Sequence, residues 1–147
     1  MMKEILAAAA GTFAFSVLFG VSGKYYPFCG IIGASGWIVY MFTEDFGVTV
    51  GAFVATVAVV LLSRVTAVRE KCPVTVFLIS GIFPLVPGSY VYWTAYYFVT
   101  DQLRLAVHNG YMAVKIAFAI VLGIIFVFEI PQKVFLFLIP QKKENFS

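Results

Sequence analysis

The sequence predicts an all-α integral membrane protein that forms a single domain, residues 1–147, with about five transmembrane helices. Three observations support this fold class. First, 62% of the 147 residues are hydrophobic and only 12% are charged, whereas about a quarter of the residues of a soluble domain are charged. Second, the apolar residues are gathered in five long stretches that are almost free of charge. Third, one of these stretches is interrupted at its centre by two prolines and a glycine.

The five stretches are residues 5–23, 25–43, 46–63, 72–100 and 111–128. Each is close to the length of about 20 helical residues that crosses a bilayer core, or exceeds it. The first could be mistaken for a signal peptide, but Glu4 spoils the positive end that such a peptide needs, so we expect a retained helix. In the second, Gly30, Gly33 and Gly36 weaken a helix. It could therefore cross the membrane or be tilted or re-entrant.

The fourth stretch is too long for one straight span and carries a break. Pro84 and Pro87 lack amide donors, and Gly88 tolerates a non-helical backbone. Broken helices are costly inside a membrane unless the freed polar groups face protein, water or a ligand. In many secondary transporters the positive ends of such half-helices bind the substrate. The pattern thus predicts six substrate-binding residues: Pro84, Pro87, Gly88, Ser89, Tyr90 and Thr94.

The same stretch leaves two alternatives open. Tyr90, Thr94, Tyr97 and Asp101 follow one another at helical spacing and so are predicted to share one face. Asp101, at the outer end of the stretch, is the candidate for ion coupling. The aromatic residues could instead belong to the belt at the membrane surface, and the proline break could serve only packing.

Other classes of function find little support in the sequence. The two cysteines and the single histidine, His108 in a predicted polar loop, are too few for the usual metal sites or catalytic triads. We therefore predict no metal, no cofactor and no enzymatic activity. The net charge of +3 is dispersed and predicts no nucleic-acid partner. The glycine-rich segment 30–36 lacks the strand and lysine of a phosphate loop, so we expect another helix or a substrate to approach it closely.

The distribution of basic residues predicts the orientation. With five spans and the N-terminus outside, three basic residues lie outside, namely Lys3, Arg104 and Lys115. Seven lie inside: Lys24, Arg64, Arg69, Lys71, Lys133, Lys142 and Lys143. Cytoplasmic loops are enriched in lysine and arginine. We therefore expect the N-terminus to lie outside and the C-terminus to lie in the cytoplasm.

Stripes of small residues predict where helices pack closely, because lipid itself does not drive helices together. Such stripes occur on the first, third and fifth stretches: Ala7, Gly11 and Ala14 or Ala10; Gly47, Gly51 and Ala55; Ala113, Ala117, Ala119 and Gly123. Packing within the chain explains any one stripe. Together they exceed what five short helices need, which favours a partner subunit.

Three segments resemble the bacterial threonine/serine exporter family. They are the run 83–90 (FPLVPGSY), the glycine-rich run 28–37 (FCGIIGASGW) and the pair Ser63 and Arg64, of which Arg64 is basic, followed by Pro73. The chain is most similar to the C-terminal membrane half of that family, which many bacteria encode as a separate small protein. The resemblance extends from about Thr12 to Pro131.

The resemblance implies five spans, export of small amino acids or related carboxylates, and a larger membrane subunit that supplies another five helices and the hydrophilic domain. It also implies that residues 84–90 lie on the transport pathway and that a proton gradient drives export. The alternative is a membrane subunit that does not transport but stabilises or assembles a larger complex.

Overall fold

The computed structural model describes residues 2–131 and 133–135, which are mostly helical and form no strand. Three single 3-10 turns, Gly23–Tyr25, Glu44–Phe46 and Phe83–Leu85, lie between the longer helices. The all-α class predicted from the sequence is confirmed. Among residues 2–131, the α-helices are α1 (Met2–Leu18), α2 (Tyr26–Thr43), α3 (Val48–Glu70), α4 (Thr75–Ile82), α5 (Gly88–Val99) and α6 (Leu103–Phe128).

Within the described residues, three helical segments are long and apolar enough to cross a membrane: Gly23–Phe46, Val48–Glu70 and Leu103–Phe128. A fourth candidate is the pair Thr75–Leu85 and Gly88–Val99, whose axes meet at 49°. Helix α1 has 17 residues, at the lower limit of about 17 for a spanning helix. The exact number of five spans remains a prediction.

The second stretch forms a continuous helix despite its three glycines. Pro27 lies in the first turn of α2, where a missing amide donor costs nothing. A Cβ atom at Gly33 would collide with the side chain of Thr12 on α1, and one at Gly36 would collide with Val59 on α3. The glycine-rich segment is therefore a surface that neighbouring helices approach, which is one of the two expectations from the sequence.

Two helices are longer than the uncharged stretches that predicted them. Helix α6 begins at Leu103 rather than at residue 111, so the prediction that His108 lies in a loop is wrong. The Asn109 side chain lies within this helix and donates a hydrogen bond to the Leu105 carbonyl, at 2.8 Å. Helix α3 runs on to Glu70 and ends at Lys71, whose φ of 54° is left-handed. Polar residues at a membrane surface extend a helix beyond its apolar stretch.

The helices pack around α3. Helices α1, α2 and α3 follow one another as antiparallel neighbours, α4 packs against α2 and α3, and α6 packs against α3. Helix α5 packs mainly on α6, and none of its residues is buried. At the centre, Val59 is fully buried between the glycine surfaces of α2 and α4, since a Cβ atom at Gly81 would lie 3.2 Å from it.

The predicted stripes of small residues differ in how far they are buried within the chain. Gly51 and Ala55 of α3 are buried, as are Ala113, Ala119 and Gly123 of α6. On α1 the buried face is instead formed by Ala8, Thr12 and Ser16. The predicted α1 stripe of Ala7, Gly11 and Ala14 is not buried within the chain.

An ion pair shows how two helix ends meet. Lys24 Nζ, just before α2, lies 3.0 Å from Glu70 Oε2 at the end of α3. The start of α2 and the end of α3 thus lie on one side of the protein. The Lys24 side chain is 68% exposed, so the pair shows how the two helix ends are arranged and adds little stability.

Arg64 is the only arginine or lysine that is buried in the described part of the chain. Its Nη1 donates hydrogen bonds to the carbonyls of Val127 and Ile130, at 2.6 and 2.8 Å. The guanidinium carbon also lies 5.4 and 4.4 Å from the ring centroids of Phe128 and Phe135. A cation at a helix C-terminus is stabilised by the helix dipole, so Arg64 fastens the end of α6 to α3.

The sequence predicts that the apolar run 134–139 extends the fifth helix or lies along the inner interface. Of this run, only residues 134 and 135 are among the described residues.

We expect Gly33→Ala to destabilise the protein by about 1–3 kcal/mol, because the new methyl group collides with Thr12 in a close-packed contact. Gly11→Ala is the matched control. Its Cβ would meet nothing within 4 Å, so it should raise stability by about 0.5–1 kcal/mol through helix propensity. Equilibrium unfolding of the detergent-purified protein checks both signs. Equal effects of the two substitutions would contradict the helix contact.

We expect Arg64→Ala to destabilise the protein by about 2–3 kcal/mol. The substitution removes two hydrogen bonds that the charged guanidinium donates to the carbonyls of Val127 and Ile130, and alanine supplies no donor in its place. Arg69→Ala removes an exposed arginine of the same helix and should change stability by less than about 0.5 kcal/mol. The same unfolding measurement applies. If both arginines prove equally dispensable, the link between α3 and α6 is not a stabilising one.

Candidate functional site

The break between α4 and α5 follows from the prolines. Helix α4 tightens into the 3-10 turn Phe83–Leu85, and Val86 is extended, with φ −61° and ψ 131°. The residue before a proline is displaced from the helical region by the proline ring, which accounts for Val86 ahead of Pro87. Helix α5 then begins at Gly88 in a new direction. Two half-helices of 11 and 12 residues are about 16 and 18 Å long, together about the thickness of a bilayer core.

The first turn of α5 carries free amide groups. The amide of Gly88 donates to the Val86 carbonyl at 2.7 Å, and that of Val91 to the Pro87 carbonyl at 3.1 Å. In the described part of the chain, the backbone amides of Ser89 and Tyr90 have no hydrogen-bond acceptor. Amides at a helix N-terminus carry a partial positive charge that favours an anionic group.

A cavity of ≈ 120 Å³ lies at the break. It is lined by side chains from α2, from the break itself, from α5 and from α6. Four of the six predicted binding residues meet there: Pro84, Pro87, Ser89 and Tyr90. The remaining lining residues are Trp37, Tyr40, Leu85, Val86 and Ile116.

Thr94 lies outside this cavity, in the contact between α5 and α6. Its hydroxyl donates to the Tyr90 carbonyl of its own helix, at 2.6 Å. Its methyl carbon would lie 3.4 Å from a Cβ atom at Gly110. Thr94 also lines an apolar groove between these two helices, together with Phe98 and Leu103. Its predicted role in binding has no support from this geometry and stays a prediction.

Gly88 and Asp101 also lie apart from the cavity lining. Gly88 is exposed at the first position of α5, and a Cβ atom there would meet nothing within 4 Å. Asp101 follows the end of α5, where its left-handed φ of 58° turns the chain towards α6. The spacing had indicated that Asp101 shares a helical face with Tyr90 and Tyr97. That prediction is wrong, because the helix ends before Asp101. Asp101 is exposed at the far end of α5 from the break.

Two residues of α2, Trp37 and Tyr40, line the cavity although the sequence did not single them out as binding residues. Their ring centroids lie 5.3 Å apart at an interplanar angle of 30°. Trp37 Nε1 is buried and has no hydrogen-bond partner among the described residues. The signal in the sequence was the three-residue spacing, which places both rings on one helical face. The proximity of that face to the break depends on tertiary packing.

A family model described as "Threonine/Serine exporter, ThrE" matches residues 4–130. The chain belongs to the threonine/serine exporter family. The match includes the glycine-rich part of α2, the proline break and the whole cavity lining. No solved structure matches this fold.

Membership of this family, together with the long apolar helices, makes the chain a membrane protein of amino-acid export. It points to transport rather than catalysis. The described residues contain no cluster of three or more histidine, cysteine, aspartate or glutamate side chains that could hold a metal ion.

The chemistry of the cavity lining limits the charge of a ligand that could bind there. None of its described lining residues carries a full charge, so a ligand with a large net charge would lose hydration without gaining a counter-ion. A zwitterion is better accommodated. The free amides of α5 favour its carboxylate, and the aromatic faces of Trp37, Tyr40 and Tyr90 favour its ammonium group.

Proposed function

We propose that this chain is one half of a two-part secondary exporter that moves threonine, serine or a related small carboxylate out of a bacterial cell. The observation that carries the proposal is the cavity at the break. It combines unpaired helix N-terminal amides with aromatic side chains, in a chain of the threonine/serine exporter family. Broken helices with such ends form the substrate sites of many secondary transporters.

The proposed substrate site contains Pro84, Pro87, Gly88, Ser89 and Tyr90. The substrate carboxylate would accept hydrogen bonds from the amides of Ser89 and Tyr90, while the prolines keep the backbone from closing into a continuous helix. The cavity volume of ≈ 120 Å³ is smaller than the about 150 Å³ that holds a benzene molecule in an engineered protein cavity. Such a volume suits serine or threonine and disfavours large side chains.

The other half of the exporter would be a larger membrane subunit with five helices of its own. Helix α5 supports this proposal, because it packs mainly on α6 and leaves its other faces uncovered. Asp101 remains the proposed coupling residue. At the far end of α5, about 18 Å along the helix from the break, it would take up its proton at an entrance rather than beside bound substrate.

The proposal is tested by the export of labelled threonine and serine from cells that express this chain with its larger partner. Ser89→Ala removes a hydroxyl from the cavity and should lower export by a few-fold to about tenfold. Gly88→Val should lower it further by placing a branched side chain at the amides, and the open space around Gly88 allows it to fold. Ser35→Ala is the control, since that exposed hydroxyl bonds to its own helix at Ile31.

The outcomes separate the two candidate functions. Loss of export from an assembled complex supports a substrate site at the break. Loss of the complex itself would instead assign the break to packing and favour an assembly subunit. Export by this chain alone would contradict the half-transporter.

We also propose five spans with the N-terminus outside and the C-terminus in the cytoplasm. In a Cys72→Ser background, cysteines introduced at Asp45 and at Gln102 should react with a membrane-impermeant thiol reagent in intact cells. Both sites are exposed turns, and Cys29 is fully buried and should stay silent. Native Cys72 should react only after permeabilisation. Labelling of only one of the two turns in intact cells would rule out the five-span arrangement.

A further inference from the structure

The indole nitrogen of Trp37 is a buried donor without an acceptor. Nε1 is inaccessible to solvent and has no hydrogen-bond partner in the described part of the chain. A buried donor in this state is destabilising relative to its hydrogen-bonded form. Most buried donors in folded proteins are paired, so a ligand that supplies an acceptor would bind here with an advantage.

Trp37 is placed to use that advantage on a ligand in the cavity. Its side chain lines the cavity together with Tyr40 of the same helix and with Ser89 and Tyr90 of α5. The nitrogen atom is covered in this conformation, so the ring has to turn about its Cβ–Cγ bond to present the N–H to a ligand. This torsion has a broad energy minimum for tryptophan.

We propose that Trp37 selects hydroxyl-bearing amino acids by donating a hydrogen bond from Nε1 to the side-chain hydroxyl of the bound substrate. The inference rests on the proposed function and adds the residue that reads the cargo's side chain. The indole N–H only donates, whereas the tyrosine hydroxyls that line the same cavity both donate and accept. Trp37 is therefore the lining group that requires an acceptor.

The geometry gives the two ends of the substrate different partners. In the proposed binding mode the substrate carboxylate accepts from the amides of Ser89 and Tyr90, which have no acceptor among the described residues. Trp37 on α2 is then left for the opposite end of the molecule. Valine has nearly the shape of threonine but carries a methyl group in place of the hydroxyl. It would leave the indole N–H unpaired, and sites built around a substrate hydroxyl reject such analogues strongly.

The test is competition between threonine and valine for export by the assembled exporter. Wild type should prefer threonine, and Trp37→Phe should keep an aromatic ring but reduce this preference about tenfold or more. Trp93→Phe is the matched control, because Trp93 is the second of the two tryptophans and lies 43% exposed on α5, outside the cavity lining. Its preference should equal that of wild type.

Each result distinguishes this inference from the function on which it rests. If wild type exports neither threonine nor serine, the proposed function fails. If wild type exports threonine and Trp37→Phe keeps the full preference over valine, the function stands and the role of Trp37 is refuted. An equal loss for threonine and valine would also refute it, since a bond to the shared carboxylate does not discriminate between them.

A binding measurement covers the case in which Trp37→Phe fails to accumulate. In the Trp93→Phe variant of the full chain, assembled with its partner, Trp37 is the only tryptophan that this chain contributes. The fluorescence emission of Trp37 should shift as threonine is added. The partner's emission is removed by subtracting a matched sample that carries both Trp37→Phe and Trp93→Phe. Where that sample does not accumulate, the partner's tryptophans are replaced instead. The emission of Trp37 should not shift with valine at the same concentration. Identical responses to the two amino acids, or no response to threonine in an exporting complex, would overturn the proposal.

Discussion

The structure depends on one close contact, the packing of Val59 against the glycine surfaces of α2 and α4. Val59 of α3 is fully buried, and the absence of side chains at Gly36 on α2 and Gly81 on α4 lets those helices reach it. In a membrane, helices gain little from excluding lipid and rely on such close packing. Because α2 and α4 are held against the same residue of α3, the end of α4 and the C-terminal part of α2 come together. The cavity at the break is the space that this arrangement leaves.

A broken helix is tolerable here because protein surrounds the break. Leu85 is buried and Pro84 and Pro87 are partly buried among α2 and α6, so the irregular backbone is not presented to lipid alone. The backbone amides of Ser89 and Tyr90, which have no acceptor among the described residues, adjoin the cavity. A polar backbone without partners survives at membrane depth where it lines a cavity. A substrate that supplies acceptors to these amides would offset part of the cost of the break.

The sequence predicted the helical class, because long uncharged runs are a local signal, and it singled out Pro84, Pro87, Ser89 and Tyr90, which the structure places in the cavity lining. It did not predict Trp37 and Tyr40 as lining residues, since their distance from the break is set by the glycine contacts of α2 and not by any local pattern. The start of α6 was misplaced for a different reason. His108 and Asn109 read as a loop by polarity, yet a helix that leaves the membrane continues into water as long as its backbone bonds and side chains allow it.

Arg64 has a mechanical consequence. By donating to the carbonyls of Val127 and Ile130, it adds polar bonds to the contact that α6 already makes with α3. Helix α5 has no comparable attachment, because it packs mainly on α6 and none of its residues is buried. A displacement of α5, which forms one wall of the cavity, would therefore disturb fewer buried contacts than a displacement of α6.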